Sequence, residues 1–302
     1  MKRLIHAKQI FLHGVDHAGR PGELNRLFAV LAFDQAIEHF LNTVIYELRG
    51  KTKNAGDPKF QNLIDGANAA LENHGKQKMD SEANILRVHR IRNNAQHLHQ
   101  IPSSDDVSDA RVYTRDFLTN SFQLCFSKVF DELFLADAIE SGDVKQHFGE
   151  AEKALDKDDT KKSMEELGIC FWFIESHFLA EDYEFRWDLD NSFVRSLSRV
   201  LSRIPDSSGE ARQVEVQLDK FIGRINHELD YLRDRVMILS IGGNMPDYQL
   251  FRRIVPRVGR TGDGRFRVFH LDAQPSKEAC LRALIFIYDL ILAIQGLPSA
   301  ES

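Results

Sequence analysis

The apolar pattern of this chain predicts a mainly α protein: an N-terminal antiparallel helical bundle, then a second helical domain carrying one late β-hairpin. Three observations point there. Apolar residues recur at three- and four-residue steps through most of the sequence, which is the helical period. Glycine, proline and short polar runs interrupt that pattern at close intervals, so that successive helices become antiparallel neighbours. After Gly242-Gly243 the period shortens, and Gly259-Arg260-Thr261-Gly262-Asp263-Gly264 separates two strand-like stretches. The boundary is expected after residue 141, giving domains 1–141 and 142–302, with the hairpin at about 248–271.

The elements follow in order. An amphipathic segment from Ala7 to His17 is closed by the Gly19–Gly22 break. Glu23 to Arg49 is a long helix, with Leu27, Val30, Leu31, Ile37, Leu41, Val44 and Leu48 on its apolar side and Gly50 as its stop. Asp57-Pro58 supplies an N-cap and a first-turn proline for a helix running to about His74, with Gly75 behind it. Asp80 and Ser81 cap a helix that Pro102 halts near Gln100, and Ser103-Ser104-Asp105 opens another through Leu133. In the second domain, Asp143 to Leu155 and Lys161 to Phe178 form a helical pair around a polar turn. A short helix over Ser192 to Arg203 precedes the Pro205–Gly209 loop, and Glu210 to Ser240 is long. Tyr248 to Val258 and Arg265 to Leu271 read as the hairpin strands, and Ser276 caps the last helix.

Composition narrows the function classes. The 302 residues carry a net charge of −6, which argues against a general nucleic-acid binder. Twenty-one phenylalanines against six tyrosines and two tryptophans read as core material more than as a base-stacking platform. The three cysteines, Cys125, Cys170 and Cys280, lie far apart with no C-x-x-C pair, which excludes a disulfide framework and fits a reducing cytoplasm. The N-terminus lacks the apolar run of a signal peptide. The most apolar helix, Ala283 to Leu297, is broken by Asp289 and Gln295 and falls short of the roughly 20 residues a bilayer span needs. A cytoplasmic protein without a membrane role is expected.

No Walker loop, G-x-G-x-x-G, H-E-x-x-H or G-x-S-x-G motif is present. His13 and His17 stand four residues apart, a spacing that suits a metal, but nothing fixes a third ligand. The informative stretch is Val88-His89-Arg90-Ile91-Arg92-Asn93-Asn94-Ala95-Gln96-His97-Leu98-His99. Arg92 and His97 are separated by four residues, and Asn93 follows the arginine; the bare spacing recurs at Arg265 and His270, without the asparagine. Ile85, Val88, Ile91, Ala95 and Leu98 define the apolar stripe of this helix. Arg90, Asn93, Asn94 and His97 fall on the other side. Two readings stand beside each other: a plain polar surface, or a site of guanidinium, amide and imidazole groups.

This segment resembles the HEPN family (higher eukaryotes and prokaryotes nucleotide-binding), all-α domains marked by R-x(4–6)-H. The match is Arg92-Asn93-Asn94-Ala95-Gln96-His97, after three helices and before a long one, with weaker likeness at Phe11-Leu12-His13-Gly14 and Phe33-Asp34-Gln35-Ala36-Ile37-Glu38; it covers about residues 1–140. The resemblance implies a metal-independent, cofactor-free endoribonuclease of a toxin or anti-phage defence system, a homodimer whose two motif helices build one cleft. An antitoxin or sensor subunit is the implied partner. His97 would act as general acid/base, since an imidazole changes charge near neutral pH. Arg92 would stabilise charge on the scissile phosphate, and Asn93 would position a phosphate oxygen or the imidazole.

On an ideal helix five residues turn through about 500°, which leaves Arg92 and His97 roughly 140° apart. Arg90, seven residues before His97, lies on nearly the same face and also satisfies R-x(6)-H. Either arginine is open as the phosphate group's partner, and Asn94 and His99 are candidate assistants. HEPN toxins paired with nucleotidyltransferase antitoxins usually have tyrosine two residues past the histidine, where this chain has His99, so that regulation is not expected. A non-catalytic HEPN-like binding or assembly module is the alternative, and a scaffold with an accidental motif is the third. In the second domain, Arg252, Arg253, Arg257, Arg260, Arg265 and Arg267 face only Asp263 and suit phosphate contacts to RNA, or pair with the acidic middle of the chain. Glu181, Asp182, Glu184, Asp188 and Asp190 form a candidate partner-docking cluster.

Overall fold

The computed structural model describes residues 2–49, 60–181, 210–269 and 274–295. The chain is mainly helical. Its elements are α1 (Lys2–Gly19), α2 (Glu23–Arg49), α3 (Phe60–Glu72), α4 (Glu82–His97), α5 (Ser104–Phe126), a 3-10 turn (Leu135–Ala138), α6 (Gly142–Asp156), α7 (Thr160–Glu181), α8 (Glu210–Ser240), α9 (Met245–Ile254), β1 (Val258–Arg260), β2 (Phe266–Val268) and α10 (Lys277–Gln295). Two compact units result, Met1–Leu167 with Asp272–Ile285, and Gly168–Leu271 with Phe286–Ser302. Whereas the sequence places the boundary after residue 141, α6 and the start of α7 belong with the first unit, and α10 contributes its first half to one unit and its second half to the other.

The first unit is organised around α2, which packs against α1, α3, α4 and α5. The periodicity explains why. Ala29, Val30, Phe33, Ala36, Ile37, Phe40, Leu41 and Val44 are fully buried, an apolar band wide enough to meet several neighbours. Phe40 stacks on Phe122 at 4.8 Å between centroids and meets Phe117 edge-on at 5.7 Å. The α1–α2 contact is close because α1 has no side chain at Gly14. A Cβ there would sit 2.6 Å from two atoms of the Phe33 ring and 3.3 Å from the Ala29 carbonyl.

Several boundaries differ from expectation. Ser81 precedes α4 with φ of 80° and its hydroxyl makes no capping bond. Ser103 does cap α5: its hydroxyl accepts from the Asp106 N–H at 3.1 Å, and the Asp106 carboxylate accepts from the Ser103 N–H at 3.0 Å. Helix α5 stops at Phe126 instead of Leu133, because Ser127 turns left-handed at φ 52°. The chain beyond it forms the 3-10 turn, whose Leu135 and Ala136 N–H groups donate to the two oxygens of buried Glu152 at 2.8 and 2.9 Å. Burial pushes the Glu152 carboxyl up to about 7 against the pull of those two bonds.

In the second unit, the strand expected from Tyr248 is instead a helix, α9. Asn244 starts it, accepting from the Asp247 N–H at 3.3 Å, and a proline stands in its first turn. Tyr248 and Phe251, three residues apart, share its buried face. The hairpin shrinks to β1 and β2, antiparallel, with Val258 opposite Val268 and Arg260 opposite Phe266. Phe171 of α7 joins Phe251 at 5.0 Å, and Phe251 meets Phe286 at 5.5 Å. Ser276 caps α10 as expected, accepting from the Ala279 N–H at 3.2 Å. Gly50, Asp57, Pro58, the helix expected over 192–203 and the acidic residues Asp182, Glu184, Asp188 and Asp190 lie outside the described residues.

Candidate active site

Helix α4 crosses α2, and the contact is built on one buried carboxylate. Asp34 lies inside the apolar band of α2, next to Phe33, and is 1% exposed. A lone carboxylate there would be strongly disfavoured, so it needs cationic or N–H partners. Helix α4 supplies two, three residues apart and therefore on one face. Arg92 Nε stands 3.1 Å from Asp34 Oδ2. His89 Nδ1 lies 3.1 Å from both Asp34 oxygens, and because a carboxylate only accepts, Nδ1 carries the proton. The His89 ring stacks on Phe60 of α3 at 4.0 Å and 5°.

Arg92 is thereby fixed. Its Nη1 donates to Asn93 Oδ1 at 2.8 Å, and its Nη2 is 4.0 Å from Glu38 Oε1. Asp34, Glu38 and His89 bring their ligand atoms within 4.8 Å of one another, a geometry that also suits a metal ion. The Arg92 guanidinium, however, occupies the electrostatic place of such a cation, neutralising the same two carboxylates. This set therefore fits an arginine clasp better than a metal centre.

The other motif residues have different surroundings. His97 is exposed in the last turn of α4, Arg90 is exposed, and Asn93 and Asn94 are half-buried. His99 follows with φ of 54° in the turn after the helix. Leu98, placed on the apolar stripe by its spacing, is 62% exposed, because α4 ends before it. Ile101, in the same connection, is 52% exposed, and the Pro102 carbonyl accepts from Arg26 Nε of α2 at 2.7 Å. The structure thus unites Arg92 and Asn93 with Asp34, Glu38 and His89, and leaves His97 and Arg90 on the solvent side. Asp34 and His89 lie in the two stretches singled out from the sequence, but neither is assigned a role there; the signal for their pairing is an acidic residue within an apolar helical band.

The arginines of the second unit have different partners. Arg252 donates to Asp234 Oδ2 at 3.0 Å, beside the Tyr248 hydroxyl, which donates to the same oxygen at 2.9 Å. Arg260 lies over the Trp172 ring, Arg267 over Phe269, and Arg265 is 3.5 Å from Asp263. Arg253 and Arg257 are exposed. A cavity of about 170 Å³ is lined by Glu175, Asp234, Arg233, Arg252 and Arg257. Burial first, and then the Asp234 charge, push Glu175 up to about 7, opposed by the three arginines. Histidine 17 is engaged, its Nδ1 3.1 Å from Asn25 Oδ1. All three cysteines are buried, and no helix among the described residues is long and apolar enough to cross a membrane.

No family model, curated protein or solved structure matches this chain.

Proposed function

We propose that the first unit is a metal-independent endoribonuclease, with His97 as general acid/base and an arginine of α4 at the scissile phosphate. The observation that carries this reading is the clasp of Arg92 by Asp34, one and a half turns before an exposed imidazole. A guanidinium locked by a buried carboxylate is pre-organised, and an exposed imidazole is available to a substrate proton. In the reaction, the ribose 2′-oxygen attacks phosphorus and loses its proton to one base. The bond to the 5′-oxygen breaks as that oxygen takes a proton from an acid, leaving a 2′,3′-cyclic phosphate. Two proton-transfer groups are needed, which two copies of α4 meeting across a homodimer cleft would supply. The exposed Leu98 and Ile101 beside His97 suit such a seam. Arg90 takes the phosphate role if Arg92 stays occupied by Asp34. A toxin or anti-phage setting, with an antitoxin or sensor subunit as partner, belongs to the same proposal through the HEPN resemblance.

A second reading has one observation in its favour. Because Arg92 already has acidic and amide partners, α4 also suits a HEPN-like module that binds nucleotide or RNA without cutting it. Cleavage of end-labelled RNA in EDTA separates the two. Wild type is expected to cut and leave cyclic phosphate, and His97→Ala to lose about 10²–10⁴-fold in rate. Arg90→Ala and Arg92→Ala then identify the phosphate ligand. A well-folded wild type that cuts no RNA would sink the ribonuclease reading, and cutting that survives His97→Ala would remove His97 from the chemistry.

A further inference from the structure

In the second unit, α7, α8, α9 and the chain after α9 enclose a polar cavity whose charged groups are unevenly matched. On α7, Gly168, Phe171 and Glu175 stand three and four residues apart and so share the face that lines it. The opposite wall can come close because Gly168 has no side chain. A Cβ there would lie 2.8 Å from the Pro256 carbonyl oxygen and 2.9 Å from Val258 Cγ2, pushing away the segment that carries Arg257. That segment is tied down from its other side, where the Arg257 carbonyl accepts from the Phe269 N–H at 2.9 Å.

Three guanidinium groups face two carboxyl groups here. Asp234 is already matched: its Oδ2 accepts from the Tyr248 hydroxyl and from Arg252, and its Oδ1 is 3.5 Å from Arg233 Nη2. Arg252 is also held over the Phe171 ring, 5.3 Å from its centroid. Glu175 and Arg257 differ. Among the described residues, no hydrogen bond reaches the Glu175 carboxyl and none leaves the Arg257 side chain, although both line the cavity. A desolvated carboxyl without a partner is costly, and the charge left over is positive. A ligand that accepts hydrogen bonds from several directions satisfies both groups. Guanidinium forks match the oxygens of a phosphate in that way. The cavity, about 170 Å³, is smaller than the roughly 300–1,000 Å³ of sites that enclose a whole small molecule, so it takes one group.

We infer that this cavity binds a phosphate-type oxyanion, free or carried on a small molecule, with Arg257 and Arg233 as its cationic ligands and the acid form of Glu175 donating a further hydrogen bond. The groups facing Glu175 are Arg233 and Asp234 of α8, Tyr248 and Arg252 of α9, and Arg257. Burial, then Asp234, raise the Glu175 carboxyl to about 7 against the three arginines, so its proton is at hand near neutrality. Tyr248 is pushed up by its own burial and keeps its proton throughout. An anion at Glu175 favours the protonated carboxyl, and the protonated carboxyl favours the anion, by linkage. The site lies within the second unit and does not rest on the ribonuclease reading.

The test is calorimetric titration of the full chain at constant ionic strength. Sulfate is the first probe, because its charge does not change between pH 6 and 8. Wild type is expected to bind it saturably at pH 6 and about tenfold more weakly at pH 8, following the fraction of Glu175 that holds its proton. Glu175→Gln keeps an N–H donor and cannot titrate, so its affinity is expected to be nearly equal at the two pH values. Arg257→Gln is expected to lose about 10–100-fold, the scale of one hydrogen bond to a charged group. Arg253→Gln, exposed on α9 outside the cavity, is expected to bind as wild type does. Inorganic phosphate and ethyl phosphate then compete with sulfate at pH 6. Tighter binding of the ester marks a phosphomonoester ligand and tighter binding of the free ion marks phosphate; either supports the site. No saturable heat with wild type, equal binding by Arg257→Gln, or a pH dependence that survives Glu175→Gln would each overturn the proposal. A short RNA that binds through Arg257 when neither ion binds would overturn it too, since the arginine would then serve a polymer at the surface.

Discussion

Asp34 of α2 is the residue on which α4 is docked: its carboxylate is 1% exposed and holds both His89 and Arg92 of the helix that carries the motif. Asp34→Asn keeps the shape but removes the charge and leaves one oxygen for two donors. The expected loss is about 2–3 kcal/mol, the scale of a hydrogen bond to a charged group, read from the urea midpoint. A change under about 0.5 kcal/mol, typical of a surface position, would show that the clasp contributes nothing to folding. This residue also marks the limit of sequence reading. The arginine, asparagine and histidine stand in one short segment and are visible by spacing. Asp34 lies 58 positions from Arg92; it falls in the weaker stretch of the family likeness and stands as an acid where the helical period wants an apolar group, but neither sign gives it a partner. Which cation it would meet depends on how α2 and α4 cross, and no local pattern encodes that.

Among the helices, α2 and α8 were legible to the residue, since long periodic runs with clear stops leave little freedom. Where boundaries moved, a local conformation outweighed periodicity. Ser127 adopts a left-handed turn within a phenylalanine-rich run that reads as continuous helix, and α9 hides in a segment whose β-branched ending resembles a strand. The α1–α2 contact gives a quantitative test. Gly14→Ala would gain about 1 kcal/mol of helix propensity in isolation. Here the new methyl meets the ring of Phe33, fully buried and pinned at 5.6 Å by Phe11. Overpacking costs about 1–3 kcal/mol, so the net result is a lower thermal midpoint. A rise in that midpoint would mean that Phe33 can give way.

At the scale of the whole molecule, two glutamates among the described residues, Glu152 in the first unit and Glu175 in the second, are each pushed up to about 7 chiefly by burial. An unfolded glutamate titrates near 4.3. Between those values the folded chain binds more protons than the unfolded one, so stability falls as pH rises. The contribution is complete below about 4.3 and is lost as pH passes through about 7. Thermal midpoints measured from pH 5 to 8 are expected to decline, and Glu152→Gln with Glu175→Gln to flatten the slope. The double variant starts from a lower stability, because a glutamine at 152 offers one oxygen to two N–H donors. An unchanged slope would place the pH response elsewhere.

The first unit is not continuous in the chain. Its buried Asp16, 2.5 Å from Arg20 Nη2, is also 3.2 Å from Arg282 Nε, a residue of α10. During synthesis on the ribosome, α1 to α6 emerge and begin to pack long before Arg282 has been made. Until α10 leaves the exit tunnel, this unit lacks one wall and Asp16 lacks a second cation. Its completion is therefore timed by translation of nearly all of the residues in between, and the motif helix belongs to a unit that closes late.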